Sequence, residues 1–382
     1  MTRGTTMTAL GGMMAPEEGA MPKRLVVCCD GTWNRPDQVT SAAPPGGGAK
    51  VTVSAPTNVA KLALVVRPQD ASGMRQCMYY HPGVGTTRGE RLRGGAFGLG
   101  LARNVRDAYR YLVDCYEPGD ELFFFGFSRG AFTARSVAGF VRNAGILRPE
   151  HAHRLGDAYA LYRSRGAHPV STEARLFRAS YSYEPRIRFV GVWDTVGALG
   201  IPLDGFPWLN RRNQFHDVAL SSIVDAAYQA LAIDERRRPF RPAVWAPSTT
   251  PGQILQQVWF SGVHCDVGGG NAGHGLSDIA LAWLAARAGE CGLDLDHDAL
   301  LGGTWDERFP GGGLEPDPLA KAGTSYKSFY RLTRPWRRPI GVSSPDAESA
   351  ASSAALRREQ LLQYRAPNLD QYLESGGSVT QV

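Results

Sequence analysis

The chain has 382 residues, of which 43% are hydrophobic and 20% are charged. This composition is ordinary for a globular protein, and it excludes collagen-like, coiled-coil and wholly disordered chains. The net charge of +6 is too dilute to indicate nucleic-acid binding. Glycine departs from the average: 45 residues are glycine, well above the usual share of about 7%. This surplus indicates tight turns, flexible linkers or backbone that comes close to a ligand.

Neither the cysteines nor the apolar runs indicate a secreted or membrane-spanning protein. The six cysteines lack the spacing of a disulfide framework or a zinc site, and we interpret them as small buried hydrophobic residues. Residues 1–21 lack a basic segment followed by an apolar core, so they do not resemble a signal peptide. The longest apolar runs fall far short of the roughly 20 residues that span a bilayer. We therefore expect a soluble cytoplasmic protein with no metal and no other cofactor.

Apolar segments of strand length alternate with segments of helical periodicity along most of the chain. The apolar run Leu25–Cys29 is typical of a strand buried on both faces. Such alternation predicts an α/β fold with a mostly parallel central sheet flanked by helices. The predicted strands cover residues 24–29, 76–80, 122–125, 187–193 and 256–262, and the predicted helices cover 58–66, 101–115, 129–143, 221–231 and 277–288.

The remaining segments suggest one catalytic domain with additions. We expect residues 1–22 to form a disordered tail and residues 23–345 to form the domain. Two stretches inside it, 146–185 and 201–255, are too long for simple crossovers, and we interpret them as helical insertions or a cap. Residues 346–370 are predicted to form a C-terminal helix packed on the domain, followed by a flexible tail over 371–382.

A G-x-S-x-G sequence at Gly126–Gly130 places Ser128 directly after the predicted strand 122–125 and before a helix with a face of small residues. A nucleophile elbow needs this strand–turn–helix context, because the serine stands on a sharp turn that leaves no room for flanking Cβ atoms. The alternative is an ordinary turn between strand and helix in which the serine only caps the helix. We predict that Ser128 is a nucleophile.

An elbow serine needs an acid and a base, which follow it along the chain in that order. Asp194 comes directly after the predicted strand 187–193, and His264 follows the strand 256–262. The carboxyl ends of parallel strands border one crevice, so side chains at three such ends can converge. We therefore predict a triad of Ser128, Asp194 and His264.

Other acids and bases fit these roles less well. Asp266 is only two residues from His264, a separation that rarely lets a carboxylate orient the imidazole, and Asp225 falls in a predicted helix. The alternative bases each lie in a turn or insertion rather than directly after a strand: His81, His216 and His274.

An oxyanion hole should combine the amide N–H after the nucleophile with one from another strand-end loop. The first donor would be Arg129. The second would be Gly31 or Thr32, in the loop that leaves the first strand. The alternative for that loop is a plain turn closed by the side chain of Asp30.

The segment Gly268–Gly273 matches G-x-G-x-x-G, the signature of a dinucleotide site. Such a site needs a helix that starts inside the motif and an acidic residue at a second strand about 20 residues on. The predicted helix starts too late, at residue 277, and residue 290 lies in or after that helix. We interpret the run as a loop that carries His264.

Two basic and aromatic stretches, residues 236–241 and 334–338, bear on membrane contact. Clustered cations attract anionic lipid by about 1 kcal/mol per residue. The alternative is structural: Asp234 and Glu235 pair with neighbouring arginines, and an arginine stacks on Trp336.

Eight segments, taken together and in order, resemble an α/β-hydrolase-like family long labelled as a domain of unknown function. That family includes the first family of type VI secretion lipase effectors, which are bacterial phospholipases. The resemblance spans residues 24–370 and implies the same roles for Ser128, Asp194 and His264. The segments are CDGTWN (29–34), GVGT (83–86), GFSRGAFTAR (126–135), GVWDTVGALG (191–200), FHD (215–217), LAIDERRRPFRPAVW (231–245), VWFSGVHCDVGGG (258–270) and YRAPNL (364–369).

Together these features predict a serine hydrolase that cleaves carboxylic esters through an acyl-enzyme. The resemblance implies lipid or phospholipid acyl esters as substrates and non-classical export by a type VI system, and the two basic and aromatic stretches allow peripheral contact with a membrane surface. Two alternatives remain open: a catalytically silent interaction protein on a hydrolase scaffold, and an acyltransferase that passes the acyl group to an alcohol other than water.

Overall fold

An eight-stranded sheet, parallel throughout, forms the centre of the computed structural model. The structure describes residues 21–31, 39–42, 51–83, 96–164, 168–197, 219–302, 313–326 and 334–382. The strands of the sheet are β1 (Arg24–Cys29), β4 (Gln76–His81), β5 (Glu121–Phe127), β8 (Ile187–Trp193), β9 (Val224–Ala232), β10 (Ile254–Phe260), β11 (Glu348–Ala351) and β12 (Val379–Thr380). They lie in the spatial order β12-β11-β10-β9-β8-β5-β1-β4.

Two short antiparallel ribbons and a set of helices accompany the sheet. The ribbons pair β2 (Val39–Ala42) with β3 (Val51–Ser54), and β6 (Ile146–Leu147) with β7 (Ser182–Tyr183). The helices span Asn58–Val65, Ala96–Cys115, Arg129–Ala144, Leu155–Arg163, Thr172–Tyr181, His264–Gly268, Gly275–Glu290, His297–Gly302, Ser352–Gln360 and Pro367–Glu374, with 3₁₀ turns at Pro149–Arg154 and Arg238–Phe240.

The sheet is buried on both faces, which explains the continuous apolar runs of its central strands. Successive side chains of a strand point to opposite faces. Accordingly Cys28 and Phe125 belong to the core cluster on one side, whereas Cys29 and Phe124 belong to the cluster on the other. The predicted fold class, an α/β-hydrolase-like protein with a central parallel sheet flanked by helices, is confirmed.

The helix predicted over 221–231 is wrong, because Val224–Ala232 forms the long strand β9 between β8 and β10. Its four alanines favour a helix by intrinsic propensity. In the sheet all four are buried in the core clusters on its two faces, and β9 is buried along almost its whole length. Tertiary packing thus overrides propensity, and the predicted insertion 201–255 contains a central strand.

The C-terminal region also differs from expectation. Instead of a single helix over 346–370, strand β11 precedes two helices. The predicted flexible tail over 371–382 contributes the end of the last helix and the edge strand β12. The insertion 146–185 does contain two helices, although its role as a cap stays a prediction, as does the domain boundary at 345. The predicted N-terminal tail lies outside the described residues apart from Met21 and Pro22.

Candidate active site

Ser128 stands on the sharp turn between β5 and the helix that begins at Arg129. Its backbone has φ 58° and ψ −120°, a strained conformation for a residue with a Cβ atom. The flanking glycines make the turn sterically accessible: a Cβ on Gly126 would lie 2.5 Å from the Gly130 carbonyl oxygen, and one on Gly130 would lie 2.0 Å from that of Cys29. The turn therefore has the geometry of a nucleophile elbow.

Asp194 lies at the end of the neighbouring strand β8. Its carboxylate is completely buried, and its backbone also has a positive φ of 40°. The amide of Asp194 donates to the Ala230 carbonyl on β9, and the amide of Ser128 donates to the Trp193 carbonyl. These ladder bonds fix both residues at adjacent strand ends, as the sequence order predicts.

His264 is the first residue of a short helix after β10, and it lies between the other two side chains. Its Nδ1 atom is 2.5 Å from Asp194 Oδ2, and its Nε2 atom is 2.8 Å from Ser128 Oγ. An ionised carboxylate only accepts hydrogen bonds, so Nδ1–H donates to Asp194 and Nε2 is free to accept from the serine hydroxyl. The arrangement can therefore move a proton from Ser128 to His264.

Aromatic rings hold the imidazole from two sides. The Phe127 ring centroid is 4.6 Å from that of His264, and the Phe240 centroid is 4.9 Å away in an edge-on arrangement. Gly268 packs directly against Phe127. His264 is thus carried by a short helix, not by the loop that the glycine run suggests.

The rival acids and bases that the structure describes lie in other environments. The Asp266 carboxylate accepts from the amides of Val263 and Gly323, and Asp225 pairs with Arg186. Of the alternative bases, His216 lies outside the described residues. The other two bond elsewhere, His81 to the Pro82 carbonyl and His274 to Asp278.

Only two of the three predicted oxyanion donors, Arg129 and Gly31, lie among the described residues. Arg129 begins the helix after Ser128, and Thr32 lies outside the described residues. The amide of Gly31 donates to the Asp30 carboxylate at 2.6 Å, and the same carboxylate accepts from Thr57 and Tyr80. This contact matches the alternative of a turn closed by Asp30, and the oxyanion role of these amides stays a prediction.

One residue of this site, Arg338, is not among those predicted from the sequence. Its guanidinium makes a two-pronged contact with the Asp194 carboxylate, and both side chains are fully buried. Burial by itself would raise the pKa of Asp194, but Arg338 and His264 together hold it well below its usual range. Nothing in the run Arg334–Arg338 distinguishes Arg338 from its exposed neighbours, so no local signal could have found it.

Two other arginines of the basic stretches have structural roles, as the alternative interpretation predicts, whereas the Asp234 carboxylate accepts from the Gly262 amide and the Tyr364 hydroxyl rather than from an arginine. Arg237 pairs with the buried carboxylate of Glu235 at 2.8 Å and lies over the Phe240 ring. Burial opposes ionisation of Glu235, yet the pairing with Arg237 lowers its pKa. Arg241 stacks on Trp336, as expected.

The described ranges contain neither a metal-ligating cluster nor a helix that could span a membrane. No group of three or more His, Cys, Asp or Glu side chains there is arranged to hold a metal ion. None of the helices described has the length and apolar character needed to cross a bilayer.

The fold and the strand-end cluster define an α/β-hydrolase-like protein. Comparison with known families is more specific: residues 23–287 match the model of the catalytic domain of type VI secretion system Tle1-like phospholipase effectors. The match covers well over half of the chain, which therefore belongs to this family. The resemblance inferred from the eight sequence segments is confirmed.

Individual relatives match over part of their length. The uncharacterized protein YEL023C of Saccharomyces cerevisiae is 31% identical over 216 residues, which cover 50% of this chain and 30% of the yeast protein. A solved structure of the Tle1 effector bound to the VgrG spike is 21% identical with a TM-score of 0.42, over 72% of this chain and 57% of that one. An uncharacterized Pseudomonas aeruginosa protein is 19% identical with a TM-score of 0.40, over 72% and 46%.

Proposed function

We propose that this protein is a serine hydrolase that cleaves lipid acyl esters, with Ser128 as nucleophile, His264 as base and Asp194 as the acid that orients it. The observation that carries the proposal is the continuous hydrogen-bonded path from Ser128 Oγ through the imidazole to the Asp194 carboxylate. Membership of a phospholipase effector family supports lipid esters as the substrate class.

The reaction runs in two halves. His264 Nε2 takes the hydroxyl proton while Ser128 Oγ attacks the ester carbonyl, and Asp194 stabilises the resulting imidazolium. As the tetrahedral intermediate collapses, His264 returns the proton to the departing alcohol, leaving an acyl-serine. Water then attacks the acyl-serine with His264 as base, which releases the fatty acid and restores Ser128. The Arg129 amide is the proposed oxyanion donor, together with Thr32, or with Gly31 once its amide is released from the Asp30 carboxylate.

Exposed arginines near the site support contact with an anionic membrane surface. Arg236 and Arg238 follow β9, and Arg334 and Arg337 precede the buried Arg338; all four are exposed. The amide of Trp336 donates to the Arg236 carbonyl, which joins the two segments. Because each cation near an anionic surface contributes about 1 kcal/mol, anionic vesicles should be hydrolysed faster than zwitterionic ones. We also propose that the protein is exported by a type VI secretion system.

The decisive experiment compares wild type, Ser128→Ala and the surface control Ser375→Ala on short p-nitrophenyl esters and on phosphatidylglycerol and phosphatidylcholine vesicles. We expect wild type and control to release fatty acid and to react with a fluorophosphonate probe, and Ser128→Ala to do neither. Undiminished turnover by Ser128→Ala would refute the proposal. Wild type that neither turns over nor labels would favour a silent scaffold, and acyl products on alcohols would favour a transferase.

A further inference from the structure

We propose that Arg338 is a positioning residue for this site: it locks the Asp194 carboxylate in the plane that His264 requires and thereby affects the pH dependence with which Ser128 is activated. The inference rests on the proposed function, since it assigns a role within the same triad. It concerns a residue 144 positions from Asp194 along the chain.

The geometry leaves the Asp194 carboxylate no freedom to turn. Arg338 Nη1 donates to Oδ1 at 2.5 Å, and Nη2 donates to Oδ2 at 3.0 Å. The Ala232 amide also donates to Oδ1, and His264 Nδ1 donates to Oδ2. Both oxygens thus accept two hydrogen bonds, so any rotation of the carboxylate would break several of them.

Arg338 is itself held by the backbone. Its Nη1 donates to the Ala232 carbonyl at 2.9 Å, and its Nη2 donates to the Phe240 carbonyl at 2.6 Å. The planar guanidinium is therefore clamped between the end of β9 and the 3₁₀ turn whose Phe240 ring packs on His264. A lysine could supply the charge here but not the two-pronged geometry.

The charge of Arg338 acts on the base through Asp194. A buried carboxylate facing the imidazole favours its protonated form, and a cation on the far side of that carboxylate opposes this effect. Removing the cation should therefore change the pH dependence with which Ser128 is activated. The ionisable groups near His264 in the described chain are Asp194 and Arg338, Glu235 and Arg237 after β9, and Cys265 and Asp266 on its own helix.

The test measures the rate of fluorophosphonate labelling of Ser128 against pH for Arg338→Lys, Arg338→Met and the exposed control Arg365→Met. We expect Arg338→Met to label at least tenfold more slowly, with the acidic limb of its pH profile displaced to higher pH. The pH profile of Arg338→Lys should keep the acidic limb of wild type, because lysine retains the positive charge. Labelling should still be slower, because lysine cannot make the two-pronged contact with Asp194. Arg365→Met should match wild type.

The free energy of unfolding, measured for the same variants, separates a positioning role of Arg338 from a purely structural one. If Arg338→Lys is destabilised yet labels at the wild-type rate and pH, Arg338 is only a structural ion-pair partner and the inference is overturned. If Arg338→Met does not fold, Arg338→Gln replaces it, because glutamine can still donate one hydrogen bond to Asp194 but carries no charge; a wild-type labelling rate and pH profile in Arg338→Gln would also overturn the inference. Failure of wild type to label at all would instead contradict the proposed function.

Discussion

Gly268 packs so closely on Phe127 that a Cβ atom on Gly268 would lie 2.0 Å from Cε2 of the ring. Phe127 is the last residue of β5, directly before Ser128, and its ring faces the imidazole of His264. Gly268 ends the helix that His264 begins. The close approach of this glycine thus fixes the distance between the strand that carries the nucleophile and the helix that carries the base.

Gly268→Ala should therefore disturb both stability and activity. Within a helix, alanine in place of glycine gains up to about 1 kcal/mol. The clash with the buried Phe127 ring costs more, because overpacking a core costs about 1–3 kcal/mol. We expect a lower free energy of unfolding in urea and at least a tenfold loss of ester hydrolysis.

Gly289→Ala is the matched control for that experiment. Gly289 also lies in a helix, Gly275–Glu290, and no neighbouring atom lies within 4 Å of where its Cβ would stand. It should gain up to about 1 kcal/mol with activity unchanged. Equal effects of the two substitutions would show that the Gly268–Phe127 contact is not what spaces the site.

Strain at Ser128 gives a second prediction. Its φ and ψ, 58° and −120°, match the first central position of a type II′ turn, which glycine dominates. Ser128→Gly should relieve this strain and raise the free energy of unfolding above that of Ser128→Ala by about 1 kcal/mol. Both variants lack the hydroxyl, so both should be inactive, and thermal unfolding of the pair isolates the backbone effect. A less stable glycine variant would contradict the strain argument.

Sequence patterns predict the structure best where a single local pattern determines it. The run Ile187–Trp193 is predicted as a strand, and the structure confirms both bounds. A mostly apolar run of only seven residues is typical of a buried strand. Strand-end placement likewise singled out Ser128, Asp194 and His264, which the structure brings together.

Features decided by distant packing could not be predicted in this way. Val224–Ala232 carries a helical composition, and only its position between β8 and β10 makes it a strand. Arg338 stands among exposed arginines of the same type, and its burial depends on contacts with Asp194 and the Phe240 carbonyl. The role of Gly268 depends on a ring 141 positions earlier in the numbering, Phe127.

Glu348 gives a third prediction, because it anchors the segment that carries Arg338. Its buried carboxylate accepts from the Trp259 indole and from the amides of Gly341, Ser343 and Ser344. Glu348→Gln removes the charge and directs an NH₂ group at N–H donors, so we expect a loss of about 2–4 kcal/mol in urea unfolding. The exposed control Glu359→Gln should change stability by less than about 0.5 kcal/mol. Similar losses in both variants would argue against the anchoring role.

The last prediction concerns acid stability and a second buried ion pair. Asp278 contacts Lys61 Nζ at 2.6 Å and His274 Nδ1 at 2.5 Å, and its carboxylate is fully buried. Burial opposes its ionisation, but His274 and Lys61 hold the pKa of Asp278 below its usual range. The unfolded chain then takes up the Asp278 proton near pH 4, at a pH where the folded chain still excludes it.

This carboxylate therefore contributes stability that is fully present above about pH 4 and is lost as the pH falls through its lower folded value. Asp278→Asn should cost about 3–5 kcal/mol at pH 7, because it leaves Lys61 buried without its partner. Its free energy of unfolding should also fall less steeply than that of wild type between pH 5 and pH 3, as measured by urea titrations at each pH. The exposed control Asp346→Asn should follow the wild-type slope. Parallel slopes for wild type and Asp278→Asn would show that another carboxyl group governs the acid transition.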